Sequence, residues 1–171
     1  DIQGIANAKS EIIRNIKDNG SIILNRDDKF FNYLNKKAKL KKLKVISFGK
    51  SKNSNVRLIK IKKRKNSQVI NVKVHDLKFE FEIKNINVYN VLASLAVIYE
   101  LRLNINKVIH LFKNFEPSEG RGKIYKAKRY SRKFNLIDES YNANPLSVKK
   151  NNINKIEIKK NKFKKYLVLG D

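Results

Sequence analysis

The first part of the chain alternates between two spacings of apolar side chains. Residues 5–16 have apolar side chains at helical spacing, which predicts one helix that ends with Gly20 in a left-handed conformation. A short strand is predicted at 21–24, then a helix over 30–40 and a strand over 44–48. Because helices and strands alternate, this part predicts an α/β fold with parallel strands. The apolar positions of the first helix are Ile5, Ala8, Ile12, Ile13 and Ile16.

The middle of the chain changes to the two-residue period of β-strands. Apolar and polar residues mostly alternate over 56–61, 69–74 and 77–83, which predicts a three-stranded antiparallel meander with one solvent-facing side. Helical spacing returns over 87–101 and 105–115, so two further helices are predicted there, joined by a short turn.

A segment rich in Gly and charged residues, 116–122, is typical of a linker. We therefore place a domain boundary there, with a first domain over 1–119 and a second over 120–171. The last predicted strand stops where a loop should begin, and the first residue is Asp1 rather than Met, so we expect the chain to be a piece of a longer protein. The elements predicted in the second domain are strands at 123–130 and 134–138, a helix from Pro145 and a strand at 166–169.

Composition narrows the class of protein. The chain has 40 Lys and Arg against 15 Asp and Glu, a net charge of +25, but its 41% apolar residues argue against a disordered basic tail. The cations are spread along the chain and only eight are Arg, so we interpret the charge mainly as composition and expect no specific nucleic-acid partner. No apolar run approaches the ~20 residues of a membrane span, and no Cys is present for disulfides or thiolate metal sites.

Two features that could suggest chemistry are interpreted as structural. Gly49-Lys50-Ser51 follows a predicted strand, but a phosphate loop needs a second Gly where Lys44 stands, and no helix pattern follows. We expect a solvated loop there. His75 and His110 have no partners at metal-ligand spacing, so surface or core histidines are expected.

The segment 137–145, Ile-Asp-Glu-Ser-Tyr-Asn-Ala-Asn-Pro, is the richest candidate site. It places two carboxylates, Asp138 and Glu139, between the end of an apolar strand and the start of a predicted helix. In open α/β sheets, ligands bind outside the carboxyl ends of strands. Asn144 before Pro145 suits a helix cap, but a cap alone does not need the other polar residues.

This segment resembles the signature IDDSYNANP of the Mur ligases, which build peptidoglycan precursors. It is most similar to the members that join D-alanyl-D-alanine to UDP-N-acetylmuramoyl-tripeptide, since those carry SYNANP. Further matches follow the family's order along the whole chain. They are GIANAKSEI at 4–12, NVYNVLASLAV at 87–97, GRG at 120–122 and VLGD at 168–171.

The resemblance implies an α/β fold made of the second half of a central ATPase domain with its antiparallel meander, followed by the start of a Rossmann-like C-terminal ligase domain. It also implies a cytoplasmic, monomeric enzyme that uses ATP and Mg²⁺ to form an amide bond through an acyl phosphate. UDP-N-acetylmuramoyl-tripeptide and D-alanyl-D-alanine would be its substrates. The family's phosphate loop would lie upstream of Asp1, so we expect these 171 residues alone to be inactive.

The resemblance assigns roles to residues near the nucleotide. Lys9 matches a lysine that several members carbamylate, which would make it a metal-binding and catalytic residue. Asn87 and Asn90 match residues that meet the adenine. Arg121 matches a linker arginine that reaches the ATP phosphates, where a planar guanidinium suits phosphoryl oxygens.

The remaining roles fall on the segment after the predicted strand at 134–138. Asp138 or Glu139 matches the acid that binds the ribose, and the family commonly has Asp where Glu139 stands. Three residues would line the interdomain cleft near the phosphates or the substrate, namely Tyr141, Asn142 and Asn144. We expect this segment to face the Asn87 helix across a gap sized for a nucleotide.

Alternatives stay open at this point. The chain could belong to another Mur ligase or to the related folylpolyglutamate synthases. A basic nucleic-acid-binding module is an alternative of a different class. An inactive relative is a third, because Ile86 stands where the family usually has His.

Overall fold

The computed structural model describes residues 2–65, 67–84, 86–116, 118–138, 140–141, 166 and 168. The chain divides into two compact units, Asp1–Phe115 and Glu116–Asp171. The division lies slightly before the boundary that the sequence predicts after Glu119. Each unit is described below by itself.

The first unit is built on a mixed five-stranded sheet in the order β1-β2-β3-β4-β5. The first three strands run parallel, with Ile23 of β1 opposite Ile46 of β2, and the last three form an antiparallel meander. The predicted α/β class, the parallel pair and the meander are therefore confirmed. The strands are β1 (Ser21–Asn25), β2 (Lys44–Gly49), β3 (Val56–Lys63), β4 (Ser67–Val74) and β5 (Leu77–Lys84).

The meander extends beyond the carboxyl end of β2. Strands β2 and β3 pair at only two positions, Phe48 opposite Val56 and Gly49 opposite Arg57, so β3 begins where β2 ends. The loop after β2 therefore lies at the carboxyl edge of the parallel strands, which is the edge where open α/β sheets bind ligands.

Helix α4 (Val88–Glu100) packs on the sheet, and buried side chains from both form the main core. Four of its side chains are at most 1% exposed and pack against buried residues of the meander, because apolar residues recur every three or four positions. Burial of each large aliphatic side chain contributes about 1.5–3 kcal/mol to folding. These four residues are Val91, Leu92, Leu95 and Ala96.

The predicted first helix is wrong in its continuity. The structure has two short helices, α1 (Ile2–Ser10) and α2 (Ile12–Asn15), with a turn at Glu11. Of the apolar positions that predict this helix, Ile5, Ala8 and Ile12 are exposed and Ile13 is buried. The side chains that are buried belong to Ala6, Ser10 and Ile13.

The predicted left-handed residue is also wrong. Asn19 has the positive φ, 59°, and Gly20 does not. Gly20 is needed for a different reason, because a Cβ there would lie 2.6 Å from Ile16 Cγ2 and 2.7 Å from the Lys17 carbonyl oxygen.

Of the helices predicted over 30–40 and 105–115, the structure confirms the first and divides the second. Helix α3 (Phe31–Leu40) is confirmed, and it buries Ala38 against Ile13 in a small second core. The predicted helix over 105–115 is instead a 3₁₀ turn at Ile105–Lys107 and a single-turn helix, α5 (Leu111–Asn114). Among the described residues, no helix is both long and apolar enough to cross a bilayer.

The second unit contains a β-hairpin. Strands β6 (Lys123–Arg129) and β7 (Arg132–Asp138) pair antiparallel around the two-residue turn Tyr130-Ser131. Both turn residues have positive φ, 46° and 63°, as a tight hairpin turn requires. The two strands that the sequence predicts here are confirmed. The predicted helix from Pro145 lies outside the described residues, and of the predicted strand at 166–169 only Tyr166 and Val168 are described.

Candidate functional site

The carboxylate of Asp27 joins three elements at the carboxyl edge of β1 and β2. Its Oδ2 accepts hydrogen bonds from the Lys50 amide at 2.6 Å and from the Tyr89 hydroxyl at 2.8 Å. Its Oδ1 accepts from the Ser51 amide at 3.0 Å. Asp27 therefore connects the turn after β1 to the loop after β2 and to the first turn of α4.

Gly49 allows the carboxylate to come this close. A Cβ on Gly49 would lie 2.7 Å from Oδ2 of Asp27 and 2.8 Å from Oδ1, and its φ of +152° is one that other residues rarely adopt. The loop at 49–51 is not a phosphate loop, as predicted, since strand β3 follows it instead of a helix. However, it is not simply solvated, because two of its amides bind Asp27.

The electrostatics of this pair keep Asp27 ionised and Tyr89 protonated. Burial raises the pKa of Asp27, but hydrogen bonds from Lys50, Tyr89 and Ser51 outweigh it and lower the pKa below 3.8. Burial, and then the hydrogen bond to Asp27, raise the pKa of Tyr89 to about 12. At neutral pH the tyrosine is therefore the donor and the carboxylate the acceptor.

Asn87 and Asn90 lie at the start of α4, on either side of Tyr89 in sequence, and both are exposed. The side-chain oxygen of Asn87 accepts a hydrogen bond from the Tyr89 amide at 2.9 Å, so Asn87 is the N-cap of the helix. The structure thus gives Asn87 a capping role. It also brings both asparagines to the helix end that Asp27 fixes through Tyr89.

In the second unit, Asp138 binds the glycine linker through its side chain and its backbone. Its Oδ2 accepts from the Gly120 amide at 3.1 Å, and its carbonyl oxygen accepts from the Gly122 amide at 2.7 Å. The Tyr141 amide donates in turn to the Gly120 carbonyl at 3.2 Å. We call these contacts between 120–122 and 138–141 the linker clasp.

Arg121 lies between the two glycines and stacks on an aromatic ring. Its guanidinium carbon is 4.3 Å from the centroid of the Tyr141 ring. Gly120 and Gly122 have φ of +72° and +87°. A Cβ on Gly120 would lie 2.7 Å from Cβ of Tyr141, so only glycine fits there.

Hydrogen bonds from Ser140 and Gly120 hold Asp138 in its ionised form. Ser140, through its hydroxyl and then its amide, lowers the pKa of Asp138, and the Gly120 amide adds to the effect. The Ser140 amide lies 3.0 Å from Oδ1, so both carboxylate oxygens accept a backbone hydrogen bond.

The comparison with known families decides which class of protein this site belongs to. The model of the Mur ligase middle domain matches residues 1–98, more than half of the chain. The chain belongs to the Mur ligase family. No curated protein sequence matches it.

Solved Mur ligase structures show the same fold. MurF from Acinetobacter baumannii has a TM-score of 0.71 and 23% identity, over 86% of this chain and 31% of that one. MurF ligase from Thermotoga maritima, solved in complex with ADP, has a TM-score of 0.66 and 22% identity, over 85% and 32%. A UDP-N-acetylmuramoyl-L-alanyl-D-glutamate–2,6-diaminopimelate ligase has a TM-score of 0.61 and 13% identity, over 75% and 27%. The chain therefore spans less than a third of the length of these structures.

Lys9 of this Mur ligase chain lies near the end of α1, with its side chain exposed. Two contacts hold α1 on α3, from Tyr33 Oη to Asn7 Oδ1 at 2.7 Å and from Lys37 Nζ to Ser10 Oγ at 2.8 Å. The helix that carries Lys9 is thus anchored. Among the described residues, no group of three or more His, Asp or Glu side chains could hold a metal ion.

Ile86, which stands where Mur ligases usually have His, has a structural role. Its side chain packs on the main core, and its carbonyl oxygen accepts from Nε2 of Gln68 at 3.1 Å. The isoleucine side chain therefore contributes to the core just before α4, whereas the hydrogen bond from Gln68 uses only the backbone of residue 86.

Of the two positions expected for the histidines, surface or core, the structure shows the surface for both. His75 is exposed in the turn between β4 and β5, and its ring stacks on Tyr99 with centroids 5.1 Å apart. His110 is exposed just before α5.

Three predicted site residues, Glu139, Asn142 and Asn144, lie outside the described residues. The predicted nucleotide gap between the Asn87 helix and the segment from Asp138 stays a prediction, as do the roles assigned to individual residues. Asp27 was not predicted as a site residue. Two local signals mark it in the sequence: the polar turn at 25–28 that follows an apolar strand, and the resemblance of residues 23–28 to the Mur ligase pattern ILN-x-DD.

Proposed function

We propose that the chain is part of an ATP-dependent amide-bond ligase that adds D-alanyl-D-alanine to UDP-N-acetylmuramoyl-tripeptide in peptidoglycan precursor synthesis. The observation that carries the proposal is the sequence SYNANP at 140–145, in a chain whose residues 1–98 match the Mur ligase middle domain. The fold shared with the two MurF structures agrees with it. No observation on the described residues favours a nucleic-acid-binding module, so that alternative is not proposed.

The adenine site is proposed at the start of α4. Asn87 uses its side-chain oxygen to cap the helix, which leaves its amide nitrogen to donate to an acceptor nitrogen of adenine. Asn90 lies one turn further on and is also exposed. The hydrogen bond between Tyr89 and Asp27 fixes this turn on the sheet, so both amides are positioned before the nucleotide binds.

The phosphates are assigned to Arg121. In the proposed reaction the substrate carboxylate attacks the γ-phosphorus and ADP leaves, giving an acyl phosphate. The amine of D-alanyl-D-alanine then attacks the acyl carbon, loses a proton, and inorganic phosphate leaves. Negative charge develops on the transferring phosphoryl oxygens, and a guanidinium held near them lowers the barrier.

For Mg²⁺ we propose one protein ligand among the described residues, Lys9. Lys9 is exposed and so is open to carbamylation, which would replace its charge with oxygen ligands that suit Mg²⁺. In the part of the chain that the structure describes, no three His, Asp or Glu side chains are grouped so that they could hold a metal ion. We therefore propose that Lys9 contributes to a site whose other ligands lie elsewhere, and we derive no step through the metal.

We further propose that residues 120–171 begin the C-terminal ligase domain and that the full-length enzyme is a cytoplasmic monomer. The chain spans 31% of the length of the Acinetobacter MurF. We therefore expect its 171 residues alone to support no ligation.

The test uses the full-length ligase that contains this chain. ATP is supplied with one pair of acceptor and amino component at a time, and released phosphate and product mass are measured. UDP-N-acetylmuramoyl-tripeptide is tested with every amino component, and each other component is also tested with its own acceptor. We expect turnover with D-alanyl-D-alanine and none with D-glutamate, L-lysine or 2,6-diaminopimelate. Turnover with one of the other components on its own acceptor, or with glutamate on a folate, would assign another Mur ligase or a folylpolyglutamate synthase. If no pair of acceptor and amino component gave turnover, the proposed ligase activity would be contradicted.

A further inference from the structure

We propose that Asp138 and Tyr141 are positioning residues that hold Arg121 for the ATP phosphates, and that Asp138 does not bind the ribose. This inference deepens the proposed function and rests on the role of Arg121 in it.

The backbone of the linker is fixed from both sides of Arg121. The amides of Gly120 and Gly122, which precede and follow Arg121, both donate to Asp138, at 3.1 Å and 2.7 Å. The Gly120 carbonyl accepts from the Tyr141 amide at 3.2 Å. A residue whose two neighbours are hydrogen-bonded to one strand end has little backbone freedom left. The linker is therefore a clasped turn rather than a free hinge at this point.

The guanidinium of Arg121 is fixed by the Tyr141 ring. The 4.3 Å distance from the guanidinium carbon to the ring centroid is that of a cation–π contact. Stacking occupies the face of the guanidinium and leaves its N–H groups, which lie in its plane, to donate to phosphate oxygens. An arginine that is already oriented loses less side-chain freedom when it binds a phosphate.

The Asp138 carboxylate already accepts hydrogen bonds from two backbone amides. Oδ2 accepts from the Gly120 amide and Oδ1 from the Ser140 amide at 3.0 Å. A carboxylate has about four acceptor positions, and the Ser140 hydroxyl takes a third one. To bind both hydroxyls of a ribose, the carboxylate would therefore have to give up one of these donors and loosen the linker.

The test compares variants of the full-length ligase with ATP and with 2′-deoxy-ATP and 3′-deoxy-ATP. Asp138→Asn is expected to lower kcat roughly tenfold, because a small misplacement of a phosphate-binding group has effects of this size. The factor should be the same for all three nucleotides. If Asp138 bound the ribose instead, the loss would fall on the KM of ATP and would shrink with the deoxynucleotides. That result would overturn the proposal.

A double-mutant cycle tests whether Asp138 acts through Arg121. Arg121→Ala should lower kcat by about 10²–10³-fold. In that background, the further effect of Asp138→Asn should be within about twofold, since the interaction it supports is already gone. Independent effects that multiply would contradict the inference. If Arg121→Ala has no effect on turnover, the proposed role of Arg121 fails instead, so the two failures are distinguishable.

Tyr141 offers a second test that does not depend on the folding of the Asp138 variant. Tyr141→Phe keeps the ring and should retain kcat, whereas Tyr141→Leu should lose roughly tenfold. Tyr130→Leu is the matched control, because Tyr130 also has an arginine over its ring, Arg129 at 5.1 Å, at the opposite end of the same hairpin. It should leave kcat unchanged. Equal kcat for Tyr141→Leu and Tyr141→Phe would overturn the role of the ring.

Discussion

The hydroxyl of Tyr89 donates a hydrogen bond to Oδ2 of Asp27 across 2.8 Å, although 62 positions separate the two residues in sequence. The contact joins the first turn of α4 to the carboxyl edge of the parallel strands. It fixes the helix end at which Asn87 and Asn90 are exposed. The adenine site proposed for this chain depends on that fixed end.

Tyr89→Phe removes the hydrogen bond and keeps the ring. We expect it to lower the free energy of unfolding by about 1 kcal/mol, the usual net contribution of one hydrogen bond, because Asp27 keeps its two backbone donors. Urea unfolding measures the change. Tyr130→Phe is the control, since Tyr130 is 84% exposed in the hairpin turn and should change stability little. Equal stability of both variants would show that the contact with Asp27 contributes nothing.

The contribution of Asp27 to stability should depend on pH. Its pKa is lowered in the folded protein, where three hydrogen bonds outweigh the effect of burial. The unfolded state therefore binds more protons at this site in the acid range. The stabilisation is complete above the ordinary pKa of 3.8 and is lost as pH falls below it. We expect the difference in unfolding free energy between the wild type and Asp27→Asn to be constant from about pH 6 to 8 and to shrink below about pH 4. A difference that grows in acid would contradict the direction of the shift.

Gly49→Ala tests the close approach of the Asp27 carboxylate. The added methyl would lie 2.7 Å from Oδ2, and φ of +152° is strained for Ala, so we expect a loss of about 1–3 kcal/mol. Part of this loss is steric and requires Asp27. The double variant Gly49→Ala/Asp27→Ala should therefore be more stable than the sum of the single losses predicts, by about 1 kcal/mol. Strict additivity in denaturant unfolding would argue against the contact.

Asn87 combines a capping role with a proposed adenine contact, and two variants separate them. Asn87→Asp keeps an oxygen that can cap the helix but removes the amide donor. We expect unchanged stability and a higher KM for ATP in the full-length ligase. Asn87→Ala should raise the KM and also lower stability by about 1 kcal/mol. An unchanged KM in both variants would leave Asn87 with the cap alone.

The regular pattern of the sequence predicts the strands well. Strands β3, β4 and β5 follow from local alternation, because a half-buried strand must place apolar side chains on one face only. The buried face of α1 could not be predicted in this way. The apolar positions at Ile5 and Ala8 are exposed, whereas the helix buries the small residues Ala6 and Ser10. In a chain rich in isoleucine, an apolar side chain says less about burial.

The candidate site was predicted only where a local motif marked it. The segment after β7 and the asparagines at the start of α4 have such motifs. The partners of Asp27 do not, since Lys50, Ser51 and Tyr89 come from two other parts of the chain and meet it only in the folded sheet. The role of Asp138 in the linker clasp depends likewise on contacts with residues 18 positions away.

The most direct test of the adenine site is photolabelling of the full-length ligase with 8-azido-ATP. The protein is irradiated, digested and analysed by mass spectrometry, with excess ATP as competitor. Because the azide is attached to the adenine ring, we expect the label on the peptide that contains residues 86–90, and we expect ATP to abolish it. A label that ATP removes but that lies only on peptides outside the start of α4 would contradict the proposed site.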